Sequence, residues 1–573
     1  MMKKIILMFC FFASLAINAQ VNTFDDSKVN GATGAGANDQ TWETATNWSL
    51  GVVPTAAHDV VIAEGKLAKI KSTGAVANSI TANGTAKVQI NAEKDLTVTT
   101  DLTYGTNNNI FFVTSTGKNM GTLIFGGTAS NSNTSAKIRL PANNKWHLIS
   151  APFKQARIDN FIADGTTILT NGTKYSMATY NDGNATGAKY TYFTTAIDGQ
   201  TDKMEKGQGY SLSLNNTADP TQPDMQFKGK FNEGDVFSPT LVHAGNGFVL
   251  LGNPFTAYVY ANENADATKN LLTVNSGKLE ENTIWLWDGA NEAWITKNQS
   301  DAAFHIAPGQ GYFVKVKSDV TGAFRTNNDM QTHLGTDKFL KTSSNRFEIG
   351  LNISSNKLKA KTSIRFVDNK TTGFDNGYDS SMFDGYGADF AVYTKLVDNS
   401  NVNKLAIQSL PNSEFENTVI PVGVNAEVDS EITFSANVLN LPTGYKVYLE
   451  DRLNNTITRI DELNSEYKTK VSTSNTDGRF FLHAKTSSVL STETDILNSV
   501  NIFKVNNTNL KITGLQQGKA AVSLFTILGK NVMNSTFEAS NSNTISLPSL
   551  ATGVYIVKLE TEKGNLNKKI IIE

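Results

Sequence analysis

The sequence predicts an all-β chain built from several modules. Short strand-like runs, among them DVVIAE, AKVQI, DLTVTT, GTLIFG, GYFVKVK, TSIRFV and RFFLHA, recur throughout, each bounded by Gly, Asn, Asp or Ser. No long stretch keeps the 3.6-residue apolar period of an amphipathic helix. At 573 residues, with 43 glycines, the chain exceeds what one core can organise and suits several sandwiches or a solenoid.

Residues 1–19 read as a secretory signal peptide: Lys3 and Lys4 form the charged end, Ile5 to Leu15 the apolar run, and small residues follow. Cleavage is expected between Ala19 and Gln20. The only cysteine, Cys10, follows Leu7, Met8 and Phe9 rather than the small residues of a lipoprotein site, so lipidation is not expected. With the signal removed no cysteine remains, which excludes disulfides, thiolate metal sites and a cysteine nucleophile.

Residues 20–140 read as a β-solenoid-like stub. After a Gly/Ala-rich stretch at 31–38, Val60, Ile62, Ile70, Ile80, Val88, Ile90 and Val98 suit the inward positions of stacked coils. Two tandem β-rich copies follow, at 141–237 and 238–335. HLISAPF at 147–153 matches VLLGNPF at 249–255, and GQGY at 207–210 matches GQGY at 309–312, both at an offset of 102. Gly-Gln-Gly is expected to make a tight turn ahead of a strand. Tyr192 and Trp294 share the offset, whereas Tyr180 and Trp287 pair only with about five residues inserted. Such a duplication suits a spacer or binding array better than a single active site. Residues 340–485 alternate as a two-sheet β-sandwich should, 486–499 read as a linker, and 500–573 form a last compact domain.

Three segments also carry resemblances. The opening TWETATNWSLGVVPTAAHDVVIAEG resembles the N-terminal part of many Bacteroidetes surface proteins, where it leads into a right-handed β-helix. The 340–485 block resembles the sandwich module that often precedes a sorting domain. The tail, with NLKIT at 509–513, VSLFTILGK at 522–530, ISLPSLATGVYIVKLE at 545–560 and NKKIIIE at 567–573, resembles the type A C-terminal sorting domain of the type IX secretion system. Its signature residues here are Gly529, Lys530, Gly553, Tyr555, Lys568 and Lys569. In the physical reading Gly529-Lys530 makes a turn, Gly553 permits a bend, Val554, Ile556 and Leu559 supply an apolar face, and Lys568 and Lys569 make a basic one. The resemblance implies export across the outer membrane by the type IX machinery, an extracellular or outer-membrane-surface location, and attachment to surface lipopolysaccharide or release. It also makes Gln20 a candidate for cyclisation to pyroglutamate.

Charge excludes one partner class. The chain has 51 basic and 53 acidic side chains, and losing Lys3 and Lys4 moves the net from −2 to −4. Residues 501–573 hold eight Lys and four Glu, a net of +4, which leaves −8 on residues 20–500. Nothing offers nucleic acid the basic face it needs.

Candidate chemistry is sparse. His58, His147, His243, His305, His333 and His483 show no metal-ligand spacing, and no nucleophile elbow or nucleotide loop occurs, so no catalytic residue, metal or cofactor is assigned and no enzyme is expected. Asp368, Asp375, Asp379, Asp384 and Asp389 crowd one Gly/Asn-rich loop of the kind calcium uses, though solvated turn aspartates explain them as well. Trp285, Trp287 and Trp294 are either an aromatic platform for sugar rings or the core of a small sandwich. The sequence thus reads as a structural or adhesive secreted protein, with a carbohydrate-binding or carbohydrate-degrading factor as the alternative.

Overall fold

The computed structural model describes residues 19–26, 40–104, 109–112, 120–130, 134–158, 167–194, 203–215, 224–333, 346–356, 358–383, 389–398, 404–413, 415–486, 500–561 and 564–572. Residues 1–18, where the signal peptide is expected, the stretch at 31–38 and most of 486–499 lie outside them. The fold is all-β.

From Gln20 the chain winds in stacked rungs. Gln20–Phe24, His58–Ile62, Ser79–Ala82 and Leu102–Tyr104 form one parallel ladder. Leu67–Ile70, Lys87–Ile90 and Asn109–Phe112 form a second, and Ala75–Ala77, Asp95–Val98 and Thr122–Phe125 a third. Period-2 alternation puts like residues in register, Val60 opposite Ile80 and Ile70 opposite Ile90. All seven residues read as inward are at most 1% exposed. Trp42 and Trp48 pack edge to face with 4.8 Å between ring centroids, and Phe24 meets Trp48 at 5.0 Å, closing the first rungs. Thr134–Arg139 extends the second ladder and pairs antiparallel with Asp224–Phe231, so one core runs from the coil into the next module.

Residues 146–215 and 248–316 build the same sheet twice. Trp146–Ser150 pairs antiparallel with Gly209–Asn215, and Phe248–Gly252 with Gly311–Val316, in registers that coincide on adding 102 to each partner. The copies are not beads on a line. Ser150 N donates to Gly309 O (2.9 Å) while Gly252 N donates to Gly207 O (3.1 Å), and the bridges Ile149 to Gln310 and Gln208 to Leu251 are likewise exchanged. Each Gly-Gln-Gly turn thus docks on the first strand of the other copy, an approximately two-fold, self-complementary contact within one chain.

That contact explains both glycines of the motif. Gly207 and Gly309 sit at φ +71° and +73°, where a side chain is strained. A Cβ on Gly209 would lie 2.3 Å from Leu251 O, and one on Gly311 2.8 Å from Ile149 O. The offset of 102 fails in the middle hairpin. Ala178 lies opposite Ser211 and Trp285 opposite Phe313, which places the five-residue insertion before Trp285. Tyr180 faces Tyr190 as Trp287 faces Trp294, so the counterpart of Trp294 is Tyr190, not Tyr192 as the constant offset implied.

Among the described residues, 348–486 form one sheet rather than two separate facing ones: ten strands pair in a continuous order, Ser380–Ser381 pairs beside them, and a single core runs from Phe347 to Ala484. A buried polar seam joins this ladder to the second copy. Trp285 Nε1 donates to Ser381 O (2.9 Å), Ser381 N and Oγ donate to the Glu281 carboxylate (2.7 and 2.6 Å), and Arg365 pairs with Asp301 at 2.7 Å. Burial disfavours the Asp301 charge, but Arg365 and Lys297 outweigh it and hold its carboxyl below the usual range.

The tail is a seven-strand sandwich. Asn501–Asn506, Asn509–Thr513 and Ser542–Ser546 form one sheet; Gly518–Thr526, Asn531–Ala539, Gly553–Thr561 and Gly564–Ile572 form the other. Among the described residues its core draws only on 500–572.

Candidate functional site

Two regions concentrate features beyond folding, the tail and an aromatic cleft. In the tail, Gly529 adopts φ +82° in the hairpin turn between Gly518–Thr526 and Asn531–Ala539. The tip it makes is apolar and open: Ile527 is 68% and Leu528 92% exposed, with Lys530 also at the surface. Tyr555 is buried and its hydroxyl donates to Ala551 O (2.9 Å), fixing the approach to its strand. Three sequence expectations need correction. The inward residues of that strand are Tyr555, Val557 and Leu559, because alternation sends Val554 and Ile556 to the other face. Gly553 has room for a Cβ and an ordinary φ, so it is not required for a bend. Lys568 and Lys569 are adjacent on a strand and point to opposite faces, so they are two exposed edge charges rather than one basic face. At the other end Gln20 is exposed and opens the first strand, its N–H donating to Ala57 O (3.1 Å).

The three tryptophans do not share one fate. Trp285 is fully buried against Phe248 (5.1 Å), with its N–H spent on Ser381, and offers no face to a ligand. It belongs to a cluster with Leu148 and Leu250 from the paired copies and Phe383 from the large sheet, which locks three modules together. Trp287 and Trp294 are half-buried, 5.1 Å apart, and Trp294 lies 4.0 Å from Phe383. Trp287 Nε1 donates to Trp146 O (3.0 Å), which fixes its ring. Both line a cleft of 540 Å³ between the second copy and the large sheet.

The opposite wall of the cleft includes Asn352, Lys359, Lys361, Phe390 and Ser435. Sequence reasoning missed these. Asn352, Lys359, Lys361 and Ser435 sit in strands far along the chain from the tryptophans, Phe390 just precedes the strand Ala391–Thr394, and only the ladder of the large sheet brings them together. Glu292 also lines the cleft, but it pairs with Lys145 at 2.7 Å.

The aspartate loop is used structurally. Asp375 Oδ2 accepts from Thr371 N (2.7 Å), while Asp379 Oδ2 accepts from Asp375 N (2.6 Å) and Oδ1 from Ser409 N (2.5 Å). Burial pushes the Asp379 carboxyl up to about 7. Asp384 lies outside the described residues, Asp389 is exposed and Asp368 accepts from Asn412. Among the described residues no group of three or more His, Cys, Asp or Glu is placed to hold a metal ion. Several histidines are taken up locally: His147 bonds Ala142 O (2.8 Å), His333 sits between Thr97 and Thr122 (3.0 and 2.7 Å), and His483 meets Glu450 (2.7 Å).

Among the described residues no helix is long and apolar enough to cross a membrane. No curated protein matches the chain. A solved structure titled "Biofilm associated protein - BSP domain" is similar at 10% identity over 76% of this chain and 91% of that chain, with a TM-score of 0.15, too low to support an argument. Residues 499–573 match the family described as "Secretion system C-terminal sorting domain", and the type IX assignment rests on that match. Residues 33–483, coil, paired copies and large sheet together, match a second family model described only as a domain of unknown function. The chain therefore belongs to the DUF8693 family and is a type IX secretion substrate, its family domain followed by a C-terminal sorting domain.

Proposed function

We propose that this protein is a non-enzymatic adhesive component of the cell surface or secreted matrix, delivered in two steps by the signal peptide at 1–19 and by the tail. The single observation that carries the reading is the division of the chain. A sorting sandwich whose core is self-contained follows a family domain whose modules are sealed to one another by buried contacts. A sealed body presents surfaces rather than moving parts, and the buried seam serves cohesion.

In the tail, the apolar hairpin tip of Ile527 and Leu528 is the element read by the export machinery, with Lys530, Lys568 and Lys569 as charged flanks. Leu528 supports no core, so Leu528→Ser is expected to leave stability within about 0.5 kcal/mol while lowering export. After export the body is attached to surface lipopolysaccharide or released. The test of function compares a strain producing the full chain with one lacking it, scoring adherence to polysaccharide-coated surfaces and retention of purified chain on the cells. Equal adherence, with the chain present at the surface of the first strain, would refute the adhesive role.

A further inference from the structure

We propose that the cleft between the second copy and the large sheet binds an acidic saccharide, its rings lying on Trp287, Trp294 and Phe390 and its carboxylate or sulfate groups on Lys359 and Lys361. The inference rests on the reading of the chain as an extracellular binding protein and supplies the chemistry of what it binds.

Three observations carry it. The cleft, at 540 Å³, falls within the roughly 300–1,000 Å³ typical of small-molecule sites. Its aromatic side is only half-buried, unlike Trp285 behind it, so part of Trp287 and of Trp294 lines the cleft, where the C–H faces of a pyranose can rest. Its charge is opposite to the net charge of the body that holds it. Residues 20–500 carry a net −8, yet among the described residues the one carboxylate lining the cleft, Glu292, pairs with Lys145. Among the described residues neither Lys359 nor Lys361 forms an ion pair.

Two unpaired ammonium groups beside aromatic rings in an otherwise acidic body favour an anionic ligand over a neutral one. Asn352, Thr296 and Ser435 supply the amide and hydroxyl groups that pair with sugar hydroxyls. Lys359 and Lys361 stand two apart on one strand, Leu358–Val367, and therefore on one face, about 7 Å apart along the chain. That spacing suits charges on neighbouring sugar units.

The test is calorimetric titration of the purified mature chain with tetragalacturonate, with cellotetraose as the neutral counterpart and an eight-nucleotide oligothymidylate as a second anion with aromatic groups. The proposal expects tetragalacturonate to bind at least tenfold more tightly than either. Binding should weaken with salt and fall at least tenfold in the Lys359→Gln, Lys361→Gln double variant. Both lysines are exposed, so that variant should keep the melting temperature. Trp294→Phe should also weaken binding, with its melting curve recorded alongside.

Absence of binding, equal binding of cellotetraose, tighter binding of the oligothymidylate, or an unchanged affinity in the lysine variant would each overturn the proposal. Because the assay uses purified protein, failure here leaves export and adherence untouched. Failure of adherence on cells would in turn leave a measured cleft affinity standing.

Discussion

The first and second copies share a ladder and a two-fold contact, yet they differ at the centre of the sheet. Where the first has Ala178 opposite Ser211, the second has Trp285 opposite Phe313. The first sheet therefore has two small side chains at the position where the second has two large ones. The large pair fills the junction with the eleven-stranded sheet, and through Phe383 it fixes one wall of the cleft. The copies therefore divide by constraint. Strands that touch the other copy keep their glycines and register, because a Cβ there meets backbone. The middle hairpin, which touches different neighbours in each copy, diverged and took an insertion.

The largest expected effect follows from that contrast. Trp285→Ala should cost about 3–5 kcal/mol, since it opens a cavity in a fully buried cluster and strands the Ser381 carbonyl. Ser211→Ala, at the counterpart of Phe313, should cost no more than about 1 kcal/mol. Equal losses in denaturant titrations would break the comparison.

The junction should also respond to pH. The Asp379 carboxyl rises to about 7 in the folded chain from an ordinary value of 3.8. Its contribution to stability is therefore fully present below about pH 4 and is lost as pH rises through about 7, by an amount on the order of 1–4 kcal/mol. Glu450 works the other way. Burial opposes its charge, but His483 and Arg452 hold it down at about 2, so its contribution is present above the ordinary 4.5 and is lost as pH falls through about 2. Asp379→Asn should flatten the slope of melting temperature between pH 4 and 7, and an unchanged slope would remove Asp379 from the account.

The contact between copies gives a smaller effect. Gly209→Ala and Gly311→Ala should each cost about 1–3 kcal/mol. Together they should cost less than the sum, because both press on one interface that opens once. Strict additivity in thermal unfolding would mean that the two turns do not share it.

Much of this was legible in the sequence. Alternation with β-branched residues marked the inward positions of the coil because a two-residue period leaves no choice of face. The repeated GQGY was visible because backbone contact forbids substitution at its glycines. The spacing inside the middle hairpin misled, since an insertion of five residues shifts a ladder without changing its composition; hence Trp294 was matched with Tyr192 rather than Tyr190. The cleft was half legible. Trp287 and Trp294 stand out as rare aromatic residues, whereas nothing in the sequence around Lys359, Lys361 and Phe390 marks them, because only long-range pairing sets them opposite. In the tail the order of motifs is clear, but the unbroken apolar run Val554 to Val557 hides which parity faces inward.

The central claim is that the chain divides into a sealed body and a tail sufficient for type IX export. The most direct test fuses residues 486–573, behind the expected signal segment at 1–19, to a fluorescent reporter in a type IX-competent host and in a mutant lacking the machinery. The account predicts reporter at the surface or in the medium of the competent host alone. Retention in the periplasm of both hosts would contradict it.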